Sequence, residues 1–118
     1  MTKVLVVDDD PVIVRLLKVN FEMEGYDVAM AGDGEEALLA VRHDRPDVIV
    51  SDVMMPRLDG LGLAAALKAD PDLATIPILL LSAKAQTSDI DAGLEFADDY
   101  VTKPFDPLEL LDRVAALL

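Results

Sequence analysis

The sequence predicts an α/β protein built as a three-layer sandwich, with a parallel sheet of five strands between two layers of helices. Short apolar runs suited to buried strands alternate along the chain with stretches in which apolar residues recur at helical spacing. This alternation indicates (βα)5, a series of βαβ units. The 118 residues fit one domain, 1–118, and a content of 53% hydrophobic residues is enough to bury a core.

Composition excludes several classes of function. The formal charge of −13 leaves no cluster of Lys and Arg, so we expect no nucleic-acid contact within these residues. The chain has no Cys, which excludes disulfides and thiolate metal sites. No signal peptide precedes the first strand, and the apolar runs are too short to span a bilayer. We expect a soluble, cytoplasmic protein that makes no membrane contact.

The first part of the chain predicts two strands and two helices. The first strand is expected at Lys3 to Val7. Asp10-Pro11 then matches a helix N-cap followed by proline at the first helical position, and Gly25 is placed to end that helix. A weaker strand at Tyr26 to Ala31 is expected at a sheet edge, and Asp33 should cap the second helix.

The second part continues the alternation. The third strand, at Asp47 to Asp52, is broken off by Pro56 and Gly60, so Asp52 should stand where a loop opens. A fourth helix at Thr87 to Glu95 has few apolar residues and should be short. The other elements are a third helix (Gly60 to Ala69), a fourth strand (Ile78 to Ser82), a fifth strand (Asp99 to Lys103) and a last helix capped by Asp106.

Four predicted strands end in residues suited to metal or phosphate chemistry. Asp8 and Asp9 follow the first strand, Asp52 ends the third, Ser82 ends the fourth and Lys103 ends the fifth. Ligand sites in open parallel sheets lie outside the carboxyl ends of the strands. With right-handed crossovers and the strand order 2-1-3-4-5, the first and third strands are neighbours, so the three aspartates should lie together.

Such a set of side chains is suited to accepting a phosphoryl group. Three crowded carboxylates repel one another, and a hard divalent cation such as Mg²⁺ would compensate their charge. A carboxylate can attack phosphorus and form an aspartyl phosphate. Lys103 can pair with one phosphoryl oxygen, and the Ser82 hydroxyl can donate a hydrogen bond to another.

Four motifs, in order and at close to the family's spacing, resemble those of the receiver domains of two-component response regulators. Each motif is weak alone, but together they are specific and cover nearly the whole chain. The resemblance implies a flavodoxin-like fold and a phosphoryl group received from a sensor histidine kinase, in a signalling domain and not an enzyme. The motifs are Val6-Val7-Asp8-Asp9-Asp10-Pro11, Asp52-Val53-Met54-Met55-Pro56-Arg57-Leu58-Asp59-Gly60, Leu81-Ser82-Ala83-Lys84 and Ala97-Asp98-Asp99-Tyr100-Val101-Thr102-Lys103-Pro104-Phe105.

The resemblance implies a role for each residue of the site. Asp52 would be the phosphoacceptor, and Asp9 and Asp52 would hold Mg²⁺ together with the backbone carbonyl of Met54. Asp8 would act on the metal mainly through water. Lys103 would bind the phosphoryl group.

The resemblance also implies a switch. Ser82 and Tyr100 would be the switch pair, in which the hydroxyl moves toward the phosphoryl group and the ring follows inward. Pro104 would follow a cis peptide bond, which is uncommon in proteins. Met54 and Lys84 stand at the two variable positions that set the dephosphorylation rate in this family.

Within the family, the chain most resembles the winged-helix transcription factors. In these, the face made of the fourth helix, the fifth strand and the last helix forms a symmetric homodimer on phosphorylation, and a C-terminal effector domain binds DNA. The chain departs from them where Phe96 leads straight into Ala97 without the usual Gly, and where Ile90 replaces a basic residue. The residues that match the dimer contact are Asp98, Asp99, Glu109 and Arg113.

Some residues also have simpler interpretations. Asp10 and Asp106 are expected to be helix caps only. Tyr100 could be a packing aromatic with no switching role, and Asp98 and Asp99 could be a solvated acidic turn.

Two alternative functions are compatible with parts of the sequence. The segment from Val7 to Val12 fits the Asp-x-Asp-x-Val opening of haloacid-dehalogenase-like phosphatases, which would place the phosphoryl group on Asp8. The order of the acidic pair and Lys103, and the lack of room for a cap, oppose that hypothesis. A receiver fold that serves as a docking module and is never phosphorylated is the other, and the intact acidic set opposes it.

Overall fold

The structure is a computed structural model that describes residues 1–82 and 96–118. The predicted fourth helix, Lys84 and Ile90 lie outside the described residues. Five parallel strands form one sheet in the predicted order, β2-β1-β3-β4-β5. Each strand end lies within one residue of its predicted position. The strands are β1 (Lys3–Val7), β2 (Asp27–Ala31), β3 (Val48–Asp52), β4 (Ile78–Ser82) and β5 (Asp99–Thr102).

The four helices in residues 1–82 and 107–118 each begin after an aspartate whose side chain accepts a backbone N–H of the first turn. The predicted caps Asp10, Asp33 and Asp106 are confirmed, and Asp59 is a further cap that the sequence did not indicate. None of these helices has the length and apolarity to cross a membrane. The helices are α1 (Pro11–Met23), α2 (Gly34–His43), α3 (Gly60–Ala69) and the last helix (Pro107–Leu117).

The core lies in two layers, one on each face of the sheet. Alternate residues of β1 point to opposite faces, so Leu5 packs with α2 and α3 whereas Val4 and Val6 pack with α1 and the last helix. The three central strands are almost wholly buried, while β2, at one edge, keeps exposed positions. The predicted three-layer sandwich is therefore confirmed for the described residues.

The strand register brings the predicted site residues to one edge of the sheet. Val7 pairs with Ser51, Asp52 with Leu81, and Ser82 with Thr102. Because all the strands are parallel, their carboxyl ends finish at this same edge, and the residues that follow them lie side by side.

Candidate functional site

Three carboxylates meet at the carboxyl edge of the sheet, as predicted. Asp8, Asp9 and Asp52 each offer an oxygen, and these oxygens lie within 4.8 Å of one another. Asp8 and Asp52 are buried, with 3% and 7% of their surface exposed, whereas Asp9 is exposed. Two of the three charges are therefore held away from water beside the third.

Lys103 lies between the two buried carboxylates. Its ammonium nitrogen is 3.3 Å from Asp8 Oδ2 and 3.3 Å from Asp52 Oδ1. Backbone N–H groups also donate to them: Asp10 N is 2.9 Å from Asp8 Oδ1, and Val53 N is 3.0 Å from Asp52 Oδ1. These contacts orient the carboxylates but supply one full positive charge against three negative ones.

The pKa values of the site follow from burial and from the charges. Burial raises the pKa of the Asp52 carboxyl, and the nearby Lys103 offsets this only in part. The pKa of Asp8 is also raised, chiefly by burial, although the N–H of Asp10 opposes the shift. Burial alone would lower the pKa of Lys103, but Asp52 and Asp8 outweigh it and leave that pKa raised. The site therefore favours an additional cation or a proton.

The donor set fits a hard divalent cation. Carboxylate oxygens are the ligands that Mg²⁺ prefers, and three of them converge here on one open side of the sheet. Met54 lies two residues after Asp52, in the loop after β3, and 72% of its surface is exposed. Its side chain therefore does not fill the core.

The remaining predicted site residues border the same edge. Ser82 is buried at the end of β4, and its carbonyl accepts the N–H of Lys103 at 2.6 Å. Tyr100 on β5 is half-buried and packs against the core layer that contains α2 and α3. The peptide bond between Lys103 and Pro104 is cis.

The predicted dimer residues make contacts within the chain. Arg113 Nη1 lies 2.9 Å from Asp99 Oδ1, and Arg113 Nε lies 3.2 Å from Glu109 Oε1. Asp98 lies at the amino end of β4, where it accepts the N–H of Ile78 at 2.9 Å and pairs with Lys68 at 3.4 Å. Asp98 is exposed in a bend, as the simpler interpretation expected, but both Asp98 and Asp99 also form ion pairs within the chain.

Several residues that surround the acidic cluster were not indicated by the sequence as part of a site. Asp33 follows β2 and is 2% exposed, and its side chain pairs with Arg57 from the loop after β3. Gly60 closes the same loop, and a Cβ there would lie 2.2 Å from the carbonyl oxygen of Asp52. A cleft of about 670 Å³ opens beside Asp9, lined also by Arg15 and Lys18 of α1. The sequence shows Gly60, but it does not show how closely Gly60 approaches the Asp52 carbonyl.

The fold and the acidic cluster define a class of protein, and comparison with known proteins identifies it. Residues 4–115 match the family model of the response regulator receiver domain. The chain therefore belongs to the receiver domains of two-component response regulators, as the sequence predicted. This family membership contradicts the hypothesis of a haloacid-dehalogenase-like phosphatase.

Particular relatives refine this placement. The chain is 47% identical to the DNA-binding response regulator MtrA of Mycolicibacterium smegmatis over 117 residues, which are 98% of this chain and 50% of that protein. It is 50% identical to the alkaline phosphatase synthesis transcriptional regulatory protein PhoP of Bacillus subtilis, again over 98% of this chain and 48% of that protein. The chain thus spans about half the length of the curated relatives it matches.

Solved structures agree with the fold. The signal receiver domain of a signal transduction histidine kinase from Syntrophus aciditrophicus superposes with a TM-score of 0.94 at 39% identity, covering 100% of this chain and 90% of that chain. The chemotaxis protein CheY4 of Vibrio cholerae gives a TM-score of 0.94 at 34% identity, covering 100% of this chain and 99% of that chain.

Proposed function

We propose that the domain, residues 1–118, accepts a phosphoryl group on Asp52 from the phosphohistidine of a sensor histidine kinase. The observation that carries this proposal is the arrangement of Asp8, Asp9 and Asp52 around the ammonium of Lys103. The family to which the chain belongs supports the same chemistry.

The transfer exchanges one bond to phosphorus for another. The Asp52 carboxylate attacks the phosphorus, the P–N bond to the donor imidazole breaks, and the imidazole nitrogen keeps the electron pair. The Val53 N–H donates to Oδ1 of Asp52, and the Lys103 ammonium pairs with the same oxygen. These contacts occupy Oδ1, which favours Oδ2 as the attacking atom. Lys103 then pairs with a phosphoryl oxygen, and the Ser82 hydroxyl donates to another.

Asp9, Asp52 and the backbone carbonyl of Met54 would hold Mg²⁺, and Asp8 would act through water. Bound there, Mg²⁺ would neutralise the charge that develops on the transferring phosphoryl group. The geometry supports this assignment, because Lys103 supplies one positive charge against the three negative charges of the converging carboxylates.

Phosphorylation would shift an existing equilibrium between an inactive and an active form. Ser82 and Tyr100 would be the switch, and the output would be a changed surface around the predicted fourth helix, β5 and the last helix. A homodimer through this face would use Asp98, Asp99, Glu109 and Arg113. Arg113 pairs with Asp99 and Glu109 within one chain, so in such a dimer it would either keep these partners or exchange them for those of the second copy.

The biological setting follows from the relatives. Curated relatives named as DNA-binding response regulators support a resemblance to the winged-helix transcription factors, so a DNA-binding effector in the intact protein is part of this proposal. We place the domain in the cytoplasm. Slow hydrolysis of the aspartyl phosphate would reset the switch, at a rate set in part by the residues at positions 54 and 84.

Intact mass after incubation with acetyl phosphate tests the proposal. Wild type should gain one phosphoryl group in the presence of Mg²⁺ and none in its absence, and Asp52→Asn should gain none. Asp10→Asn is the matched control, because it removes a neighbouring carboxylate while asparagine still caps the helix. An adduct that survives in Asp52→Asn would refute the assignment, and no adduct with acetyl phosphate or a phosphorylated kinase would favour a docking module.

A further inference from the structure

The turn between β2 and α2 contributes a buried acid, Asp33. Asp33 caps α2 through Oδ1, which accepts the N–H of Glu36 at 2.9 Å. Its other oxygen accepts the Arg57 guanidinium, through Nε at 2.8 Å and also through Nη2. Only 3% of the Asp33 side chain is exposed, whereas 64% of the Arg57 side chain is exposed. The capping role uses one oxygen, so the second oxygen is available to hold Arg57.

Arg57 adopts an unusual backbone conformation to make this contact. Its φ is +63°, in the left-handed region, which is disfavoured for a residue with a side chain. Outliers of this kind persist where the surrounding structure fixes them. Here the surrounding contact is the fork of two N–H groups on a buried carboxylate.

The loop between β3 and α3, residues 53–59, is fixed at two further points. Gly34 is the first residue of α2, and its N–H donates to the Leu58 carbonyl at 2.9 Å. The Gly60 N–H donates to the Val53 carbonyl, also at 2.9 Å. A Cβ at Gly34 would lie 2.5 Å from the Leu58 oxygen, so the loop can approach α2 this closely because position 34 has no side chain. Arg57 and Leu58 together tie the loop to the start of α2.

We propose that Arg57 and Asp33 are a positioning pair that fixes the loop 53–59 so that the Met54 carbonyl and the Asp52 carboxylate can bind Mg²⁺ together. This inference rests on the proposed function, because Met54 and Asp52 are its ligands. Arg57 stands three residues after Met54 in the chain and, through Asp33, is anchored to the start of α2. The pair acts through the loop and touches neither the metal nor the phosphoryl group.

Removing the pair should weaken Mg²⁺ binding without unfolding the domain. Supporting partners of metal ligands are worth roughly 10-fold or more in metal affinity, so we expect Arg57→Gly to raise the dissociation constant for Mg²⁺ roughly 10-fold. Glycine tolerates the left-handed backbone, but the ion pair to the buried Asp33 is lost, so the melting temperature should fall while the domain still folds. Asp33→Asn keeps the helix cap and should give the same loss. Arg57→Lys keeps the positive charge but lacks the paired N–H donors of the guanidinium, so it should retain part of the Mg²⁺ affinity that Arg57→Gly loses.

Calorimetric titration of Mg²⁺ into each variant, without any phosphodonor, measures this directly. The matched control is Arg45→Gln, which removes a guanidinium that joins Thr75 Oγ1, at 2.8 Å, and the Asp72 carbonyl far from the site. Its Mg²⁺ affinity should equal that of wild type. Dissociation constants for Arg57→Gly and Asp33→Asn within two-fold of wild type would overturn the positioning role while the proposed function stands. A wild type that neither binds Mg²⁺ nor gains a phosphoryl group would overturn both.

Discussion

Replacing Asp52 by asparagine should stabilise the metal-free domain, although it removes the proposed nucleophile. Asp52 is within 4.8 Å of Asp8 and Asp9, and at an effective dielectric constant of about 20 each repulsion is worth about 3.5 kcal/mol. Lys103, 3.3 Å from Asp52, attracts it by about 5 kcal/mol on the same scale. Loss of both repulsions and of this attraction leaves a gain of about 2 kcal/mol, which screening at exposed Asp9 reduces toward about 1 kcal/mol.

The expected change in melting temperature follows from the size of the domain. A chain of 118 residues has an unfolding entropy of about 0.25 kcal/mol/K, so this gain corresponds to about 4–8 °C. Differential scanning calorimetry in a chelating buffer measures it. Mg²⁺ should then raise the melting temperature of wild type more than that of Asp52→Asn, because at a given free Mg²⁺ concentration c tighter binding stabilises the folded state more, by RT ln(1 + c/Kd).

The control for this experiment is Asp106→Asn. It removes one carboxylate from an exposed N-cap, where asparagine caps equally well and loses only a small favourable interaction with the helix dipole. Its melting temperature should be unchanged or slightly lower. An Asp52→Asn melting temperature at or below that of wild type, or an equal rise in Asp106→Asn, would refute the repulsion that we infer.

Three further predictions follow from the same contacts. The pKa of Asp52 is raised above 3.8 in the folded state, so protonation of Asp52 favours folding. In melting curves measured across pH, the stability advantage of Asp52→Asn should therefore vanish near pH 4 and grow as the pH rises through that raised pKa. Gly60→Ala should lower the free energy of unfolding, measured by urea denaturation, by about 3 kcal/mol or more, because its Cβ would lie 2.2 Å from a backbone oxygen. Gly32→Ala is the control: its Cβ would face a flexible glutamate oxygen at 3.3 Å, so the loss should be less than about 1 kcal/mol. Tyr100→Ala should still gain one phosphoryl group by mass and fail to dimerise on phosphorylation in light scattering; loss of the adduct would contradict the separation of switch and site.

The strands and the acidic cluster were predictable from the sequence because each depends on a local pattern plus topology. Uninterrupted apolar runs such as that before Asp52 mark buried parallel strands, and the strand order places their ends together. The caps Asp10 and Asp106 were predictable because proline follows each of them. Asp59, followed by Gly60, carries no such signal, and its capping role appears only in the structure.

Contacts between distant residues were not predictable. The Asp33–Arg57 pair joins positions 24 residues apart, and neither residue stands in a pattern that names the other. The charges of Asp99 and Arg113 were apparent in the sequence, but whether such charges pair within one chain or between two depends on side-chain geometry. Strand ends differed by a residue because the hydrogen-bond register decides them, and hydrophobicity does not report it.

The site of phosphorylation tests the central claim most directly. Phosphorylated wild-type domain would be reduced with borohydride, which converts an aspartyl phosphate to homoserine, and the modified residue would be located by tandem mass spectrometry. The proposal predicts homoserine at position 52 alone and only after incubation with Mg²⁺. Homoserine at position 8 or 9, with Asp52 unchanged, would contradict it.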